Sequence, residues 1–149
     1  MKNQEEIVSD LKGLINILND GKTGYKEAIN NVKSENLKST FLQFSNQRYA
    51  YAEELKAHIA QHGGKSDNEE GGVLGALHRA WLDIKDAFTG NDDSAILEAI
   101  TTGEKAALEK YDEVLEDYRD HADHYAILTK QREGIASALS TIESYSLSL

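Results

Sequence analysis

The 149-residue chain contains no proline and no cysteine. Without proline, nothing forces a helix to break, because proline removes a backbone donor and clashes with the preceding turn. Without cysteine, disulfides, zinc–thiolate sites and thiol catalysis are excluded, and a reducing compartment is the simplest setting. No apolar run approaches the roughly 20 residues that cross a bilayer. The N-terminus, MKNQEEIVSDL, has no apolar signal region. Positive charge is scarce too: 16 Lys and Arg stand against 26 Asp and Glu, a net charge of -10. An acidic surface repels phosphates and anionic headgroups, which argues against nucleic acid and membrane as partners. The expectation is a cytoplasmic protein.

What remains is helical in pattern. Apolar residues make up 40% of the chain, enough for the core of one domain spanning residues 1–149. Alternating steps of three and four mark helices packed at shallow angles. They run Ile7, Leu11, Leu14, Leu18, Gly21, Tyr25, Ala28, Val32 in the first stretch. A second series starts at Leu37 and passes Phe41, Phe44, Arg48, Tyr51 and Leu55 to His58 and His62. Later series run from Leu97 to Tyr118 and from His121 to Tyr145. Ser34 fits a helix cap, and Gly63-Gly64 fits a helix end with a left-handed closing residue. Asn91 or Asp92 fits the next cap.

The spacing therefore predicts long helices over residues 4–32, 35–62, 93–118 and 121–146, with a short helix over 73–89. Trp81 lies on the apolar stripe of the short helix and is expected in the core or as a lid. A segment of that length between the second and third long helices can span the bundle. The layout is then an all-α, ferritin-like four-helix bundle with one long crossover. A plain five-helix array fits the same periodicity.

Arg48 interrupts an apolar stripe at the middle of its helix. The other long helices carry polar or small residues at their midpoints: Gly21 beside Asp20, then Glu104, then Gln131. Midpoints of helices of similar length meet at one level. The expectation is a central polar layer of Asp20, Arg48, Glu104 and Gln131, with Tyr25, Tyr51 and Tyr111 a turn away. Ferritin-like proteins hold two metal ions at this level, with one carboxylate from each of two helices and a Glu-x-x-His pair from each of the others. Glu104 supplies one carboxylate. Glu54 has its histidine, His58, four residues on rather than three, and Gln131-x-x-Gly134 has none. A permanent guanidinium beside a divalent cation is unfavourable. Arg48 is thus expected to pair with Glu104 in place of a metal, tied in by Gln131 and tyrosine hydroxyls. The competing arrangement turns Arg48 to the rim, with its head in water.

The phrases Gly75-Ala-Leu-His78-Arg79-Ala-Trp81, Ile84-Lys85, Ile96-Leu97 and Gly103-Glu104-Lys-Ala-Ala-Leu108 with Tyr111 occur in that order. With Asp20-Gly21, Gly24-Tyr25, Arg48, Glu54-Leu55 and Gly63-Gly64, the set resembles a bacterial family of ferritin-like four-helix-bundle proteins catalogued as a domain of unknown function. The resemblance covers nearly the whole chain. It implies the fold and a bacterial cytoplasmic setting, and it supplies no activity.

Five histidines remain to be placed. In ferritin-like connectivity His58 and His62 share an end of the bundle with His121 and His124, beside Glu116, Asp117, Asp120 and Asp123. Imidazoles four apart on a helix can share zinc, copper or nickel. The plainer reading is an acidic helix junction whose histidines cap carbonyls or fill space. His78 neighbours the stripe of the short helix and fits a buried hydrogen bond. Gly71-Gly72 and Gly75 lack the lysine and hydroxyl partners of a phosphate loop, and no Gly-x-Ser-x-Gly elbow is present.

The sequence points to a structural or interaction module with an absent or degenerate di-metal site, no cofactor, and stress association by resemblance alone. Its expected partner is an unidentified protein or a second copy of itself. The rival is a metal-binding or di-iron-type redox protein using Glu54, Glu104 and His58, or the cluster of His58, His62, His121 and His124.

Overall fold

The computed structural model describes residues 3–64, 84, 88, 90 and 92–148. Four helices order them: α1 Gln4–Ile29, α2 Glu35–Gln61, α3 Asp93–Asp117 and α4 Ala122–Ser148. There is no strand among the described residues. The short helix expected over 73–89, with His78 and Trp81, lies outside them apart from Ile84 and Phe88. Both of those are buried in the core.

Each of the first three helices starts on a side-chain cap. Asn3 accepts from the Glu6 N–H at 2.9 Å, Ser34 from Leu37 at 3.3 Å, and Asp92 from Ala95 at 2.9 Å. These bonds satisfy amides that have no partner within the helix. α2 closes at Gly63, whose φ of 83° is the left-handed conformation glycine adopts without strain. The Gly63 N–H reaches Ala60 O at 3.1 Å and the Gly64 N–H reaches Ile59 O at 2.9 Å, the paired bonds of a Schellman ending.

α1 ends at Ile29, three residues before the periodicity runs out. The reason is Val32. It leaves the helix, its N–H turns back to Ala28 O at 2.9 Å, and its side chain is still buried, so it keeps the helical spacing without helical backbone. The turn is then fixed to α3, where the Asp93 carboxylate accepts from Lys33 N–H at 2.8 Å and Ser34 N–H at 3.1 Å.

Two apolar clusters divide the core. One gathers Leu11, Leu14 and Leu18 of α1 with Leu55 and Ile59 of α2, Val114 of α3 and Leu128 of α4. The other gathers Tyr25, Leu37, Phe41, Ile96, Ile100 and Ile142. The start of α1 thus meets the end of α2, the end of α3 and the start of α4. Neighbours in sequence within each hairpin are antiparallel, while α2 and α3 run the same way. The end of α2 and the start of α3 therefore lie at opposite ends of the bundle, as ferritin-like connectivity requires. Between the clusters lies a polar level.

Candidate functional site

At that level Arg48 and Glu104 form a buried, two-pronged ion pair. Nη1 donates to Oε1 at 2.6 Å and Nη2 to Oε2 at 2.6 Å. Side-chain exposure is 2% for Arg48 and 0% for Glu104. The fork of the guanidinium matches a carboxylate in this way, and charge-assisted pairs are the strongest hydrogen bonds available. Arg48 Nε donates to Gln47 Oε1 at 3.1 Å, and the Tyr25 hydroxyl donates to Glu104 Oε2 at 2.8 Å. The guanidinium packs against the α1 backbone at Gly21, where a Cβ would come into contact with Nη1 at 3.4 Å. The Arg48 head also stands 5.5 Å over the Tyr25 ring.

Gln131 carries the network onward. Its Oε1 accepts from the Tyr111 hydroxyl at 2.7 Å, and its Nε2 donates to Tyr51 O at 3.1 Å and to Glu54 Oε1 at 2.8 Å. Lys130 donates to the other Glu54 oxygen at 3.2 Å. Burial drives the Tyr25 and Tyr111 pKa values up, and Glu104 adds to the effect on Tyr25. Burial works against the charged form of Arg48, but the Glu104 carboxylate outweighs it and holds the guanidinium more firmly protonated. Asp20 is half-buried beside Gly21.

These residues do not fit a pair of metal ions. The four helices present Gly21, then Arg48 and Tyr51, then Glu104, then Gln131 and Gly134 where carboxylates and histidines would be needed. Glu104 is the one carboxylate buried there among the described residues, and both of its oxygens accept from Arg48. The place of a histidine at Gly134 is taken by Tyr51, whose hydroxyl occupies the space any side chain at Gly134 would fill.

A second constellation sits at the end of the bundle. The last turn of α2 brings His58 and its C-cap brings His62, and the first turn of α4 brings Asp123 and His124. One ligand atom from each lies within 4.8 Å of the others. His58 Nε2 meets His124 Nδ1 at 2.6 Å, and His62 Nε2 meets Asp123 Oδ2 at 2.7 Å. His58 and His124 are buried, while His62 and Asp123 are exposed. Burial lowers the pKa of both His58 and His124, and neighbouring imidazoles lower it further. Desolvation raises the Asp123 pKa, but the His124 N–H, at 2.9 Å, and the His124 and His62 imidazoles together outweigh it, so the pKa is lowered.

The structure thus divides the metal set considered from sequence. Glu104 and Glu54 belong to the central network. His121 stands aside, its ring 5.6 Å from Tyr118 and 5.7 Å from His124. Asp123 takes its place. The sequence put Asp123 near the cluster but gave no signal to prefer it, since α4 begins only at Ala122 and periodicity says nothing of rotation in a first turn.

A family profile described as a domain of unknown function, DUF2383, matches residues 6–117. The chain belongs to that family. It is also similar in structure to a mutant of Mycobacterium smegmatis Dps1, with a TM-score of 0.77 and 17% identity over 98% of this chain and 99% of that one. The DPS protein from Vibrio cholerae O1, described as a member of a broad superfamily of ferritin-like diiron-carboxylate proteins, gives a TM-score of 0.74 and 12% identity over 95% and 90%. At these identities the likeness shows the fold, a ferritin-like four-helix bundle. No curated protein matches the chain. No described helix is long and apolar enough to cross a membrane.

Proposed function

We propose that this protein is a ferritin-like bundle in which an ion pair replaces the di-metal centre, and that its role is structural or protein-binding rather than redox. One observation carries the reading: both Glu104 oxygens lie 2.6 Å from guanidinium nitrogens of Arg48. A carboxylate so engaged has to lose its partner before it can bind a cation, and the freed arginine would stay charged beside the ion. A di-metal reading through Glu54, Glu104 and His58 finds no support in their positions. The cytoplasm is the compartment that fits a chain without cysteine. Self-association is the partner reading we favour. Leu42 and Tyr49, seven residues apart on α2 and 50% and 54% exposed, are the large apolar side chains of that helix that a second copy would cover.

The test is anaerobic loading with Fe(II) followed by oxygen. The expected result is no oxygen consumption beyond that of free Fe(II), and no uptake of two iron ions per chain. Two ions per chain, lost in Glu104→Gln, would overturn the reading.

A further inference from the structure

We propose that His58, His62 and His124, with Asp123 as fourth ligand, form a site for one divalent transition-metal ion of the zinc class at the end of the bundle. It is separate from the central layer and stands whether or not that layer is redox-inert. The three imidazole centroids are 4.7, 4.8 and 4.8 Å apart, a nearly equilateral triangle contributed by two helices. An imidazole nitrogen about 2.0–2.1 Å from zinc puts its ring centroid roughly 3.2 Å from the ion, so rings sharing one ion at octahedral to tetrahedral angles stand roughly 4.5–5.2 Å apart. The observed triangle falls inside that interval.

The nitrogens also converge. His58 Nε2 and His124 Nδ1 are 2.6 Å apart, and they need to part by only about 0.7 Å to sit on a common tetrahedral ion. Asp123 contributes the anion. Its Oδ1 is anchored by the His124 N–H, and its Oδ2 faces His62. Three neutral imidazoles and one carboxylate supply four ligands of types zinc accepts, the number that a tetrahedral ion takes. The field at the end of α2 helps, since a helix C-terminus attracts positive charge. The first turn of α4 opposes it, and the Asp123 carboxylate offsets that. Bound there, the ion would tie the last turn of α2 to the first turn of α4.

The experiment uses the full chain, free of any affinity tag and treated with chelator, titrated with Zn(II) by calorimetry and with Co(II) by visible absorption. One ion per chain is expected, with the strong ligand-field bands of four-coordinate Co(II) and a higher thermal midpoint in Zn(II). His62 is exposed, so His62→Ala should fold normally by circular dichroism. It should bind at least about tenfold more weakly, a loss that even changes around a metal's ligands produce. His121→Ala should bind as the unaltered protein does. Absence of saturable one-to-one uptake would overturn the proposal. So would equal affinity in His62→Ala, or a loss in His121→Ala as large as that in His62→Ala.

Discussion

Gly134 of α4 makes room for the hydroxyl of Tyr51 of α2. A Cβ at position 134 would overlap that oxygen, and the ring carbon Cζ would be 3.0 Å away. Alanine for glycine within an exposed helix ordinarily stabilises by about 1 kcal/mol. Here the overlap should reverse the sign. Gly134→Ala is expected to lose about 1–2 kcal/mol, in the range of overpacking, by urea unfolding. Adding Tyr51→Phe should restore most of it. A stabilising Gly134→Ala would show that Tyr51 swings away freely.

The ion pair predicts an asymmetry. Arg48→Met or Glu104→Leu alone leaves a buried charge without its partner and should cost about 3–5 kcal/mol. The double variant removes both charges, leaves none uncompensated, and should cost much less. A double-mutant cycle read by denaturant unfolding measures the coupling. Small additive effects, about 1 kcal/mol or less each as for exposed pairs, would mean that the arginine reaches water in solution.

Tyr25 tests the outer part of the same network. Its hydroxyl donates to Glu104 Oε2, which already accepts from Arg48. Tyr25→Phe removes one charge-assisted bond and leaves the pair neutralised. The expected loss is about 1.5–3 kcal/mol, below that of either charge deletion. A loss equal to that of Arg48→Met would make the tyrosine, not the arginine, the principal support of the carboxylate.

How far these features were legible depended on whether they followed from spacing along one helix. Arg48, Glu104 and Gln131 stand on helical stripes, so a common level could be read from position alone. The crossover could be read from the length between α2 and α3. Gly134 could be noticed as a missing histidine, but not as the space for Tyr51, because that contact depends on how closely α2 and α4 approach. Asp123 and His121 are two residues apart at the edge of α4, and only the rotation of its first turn chooses between them. Val32 kept the spacing of a helix it had already left.

Gln131 distinguishes an amide from the carboxylate that a metal centre would need. Its Nε2 donates to Tyr51 O and Glu54 Oε1, and its Oε1 accepts from Tyr111. Gln131→Glu keeps the shape; ionised it donates neither bond, while protonated it still donates one. It sets a second carboxylate against Glu54 at 2.8 Å, at a residue with no exposed surface. Burial and like charge both raise a carboxyl pKa. The introduced carboxyl should therefore titrate in the folded state above its unfolded value of about 4.3. For a group so raised, the unfolded chain binds fewer protons between the two pKa values, and stability falls as pH rises through that window. Gln131→Glu should accordingly be near the unaltered protein in stability at pH 4. It should be less stable by about 1–3 kcal/mol at pH 7, the cost of leaving buried polar groups unsatisfied. Urea unfolding of both proteins across that range reads the difference directly. A gap that stays constant with pH would show that the new carboxyl finds water or Lys130. In that case the level between the two cores would be open enough to admit solvent.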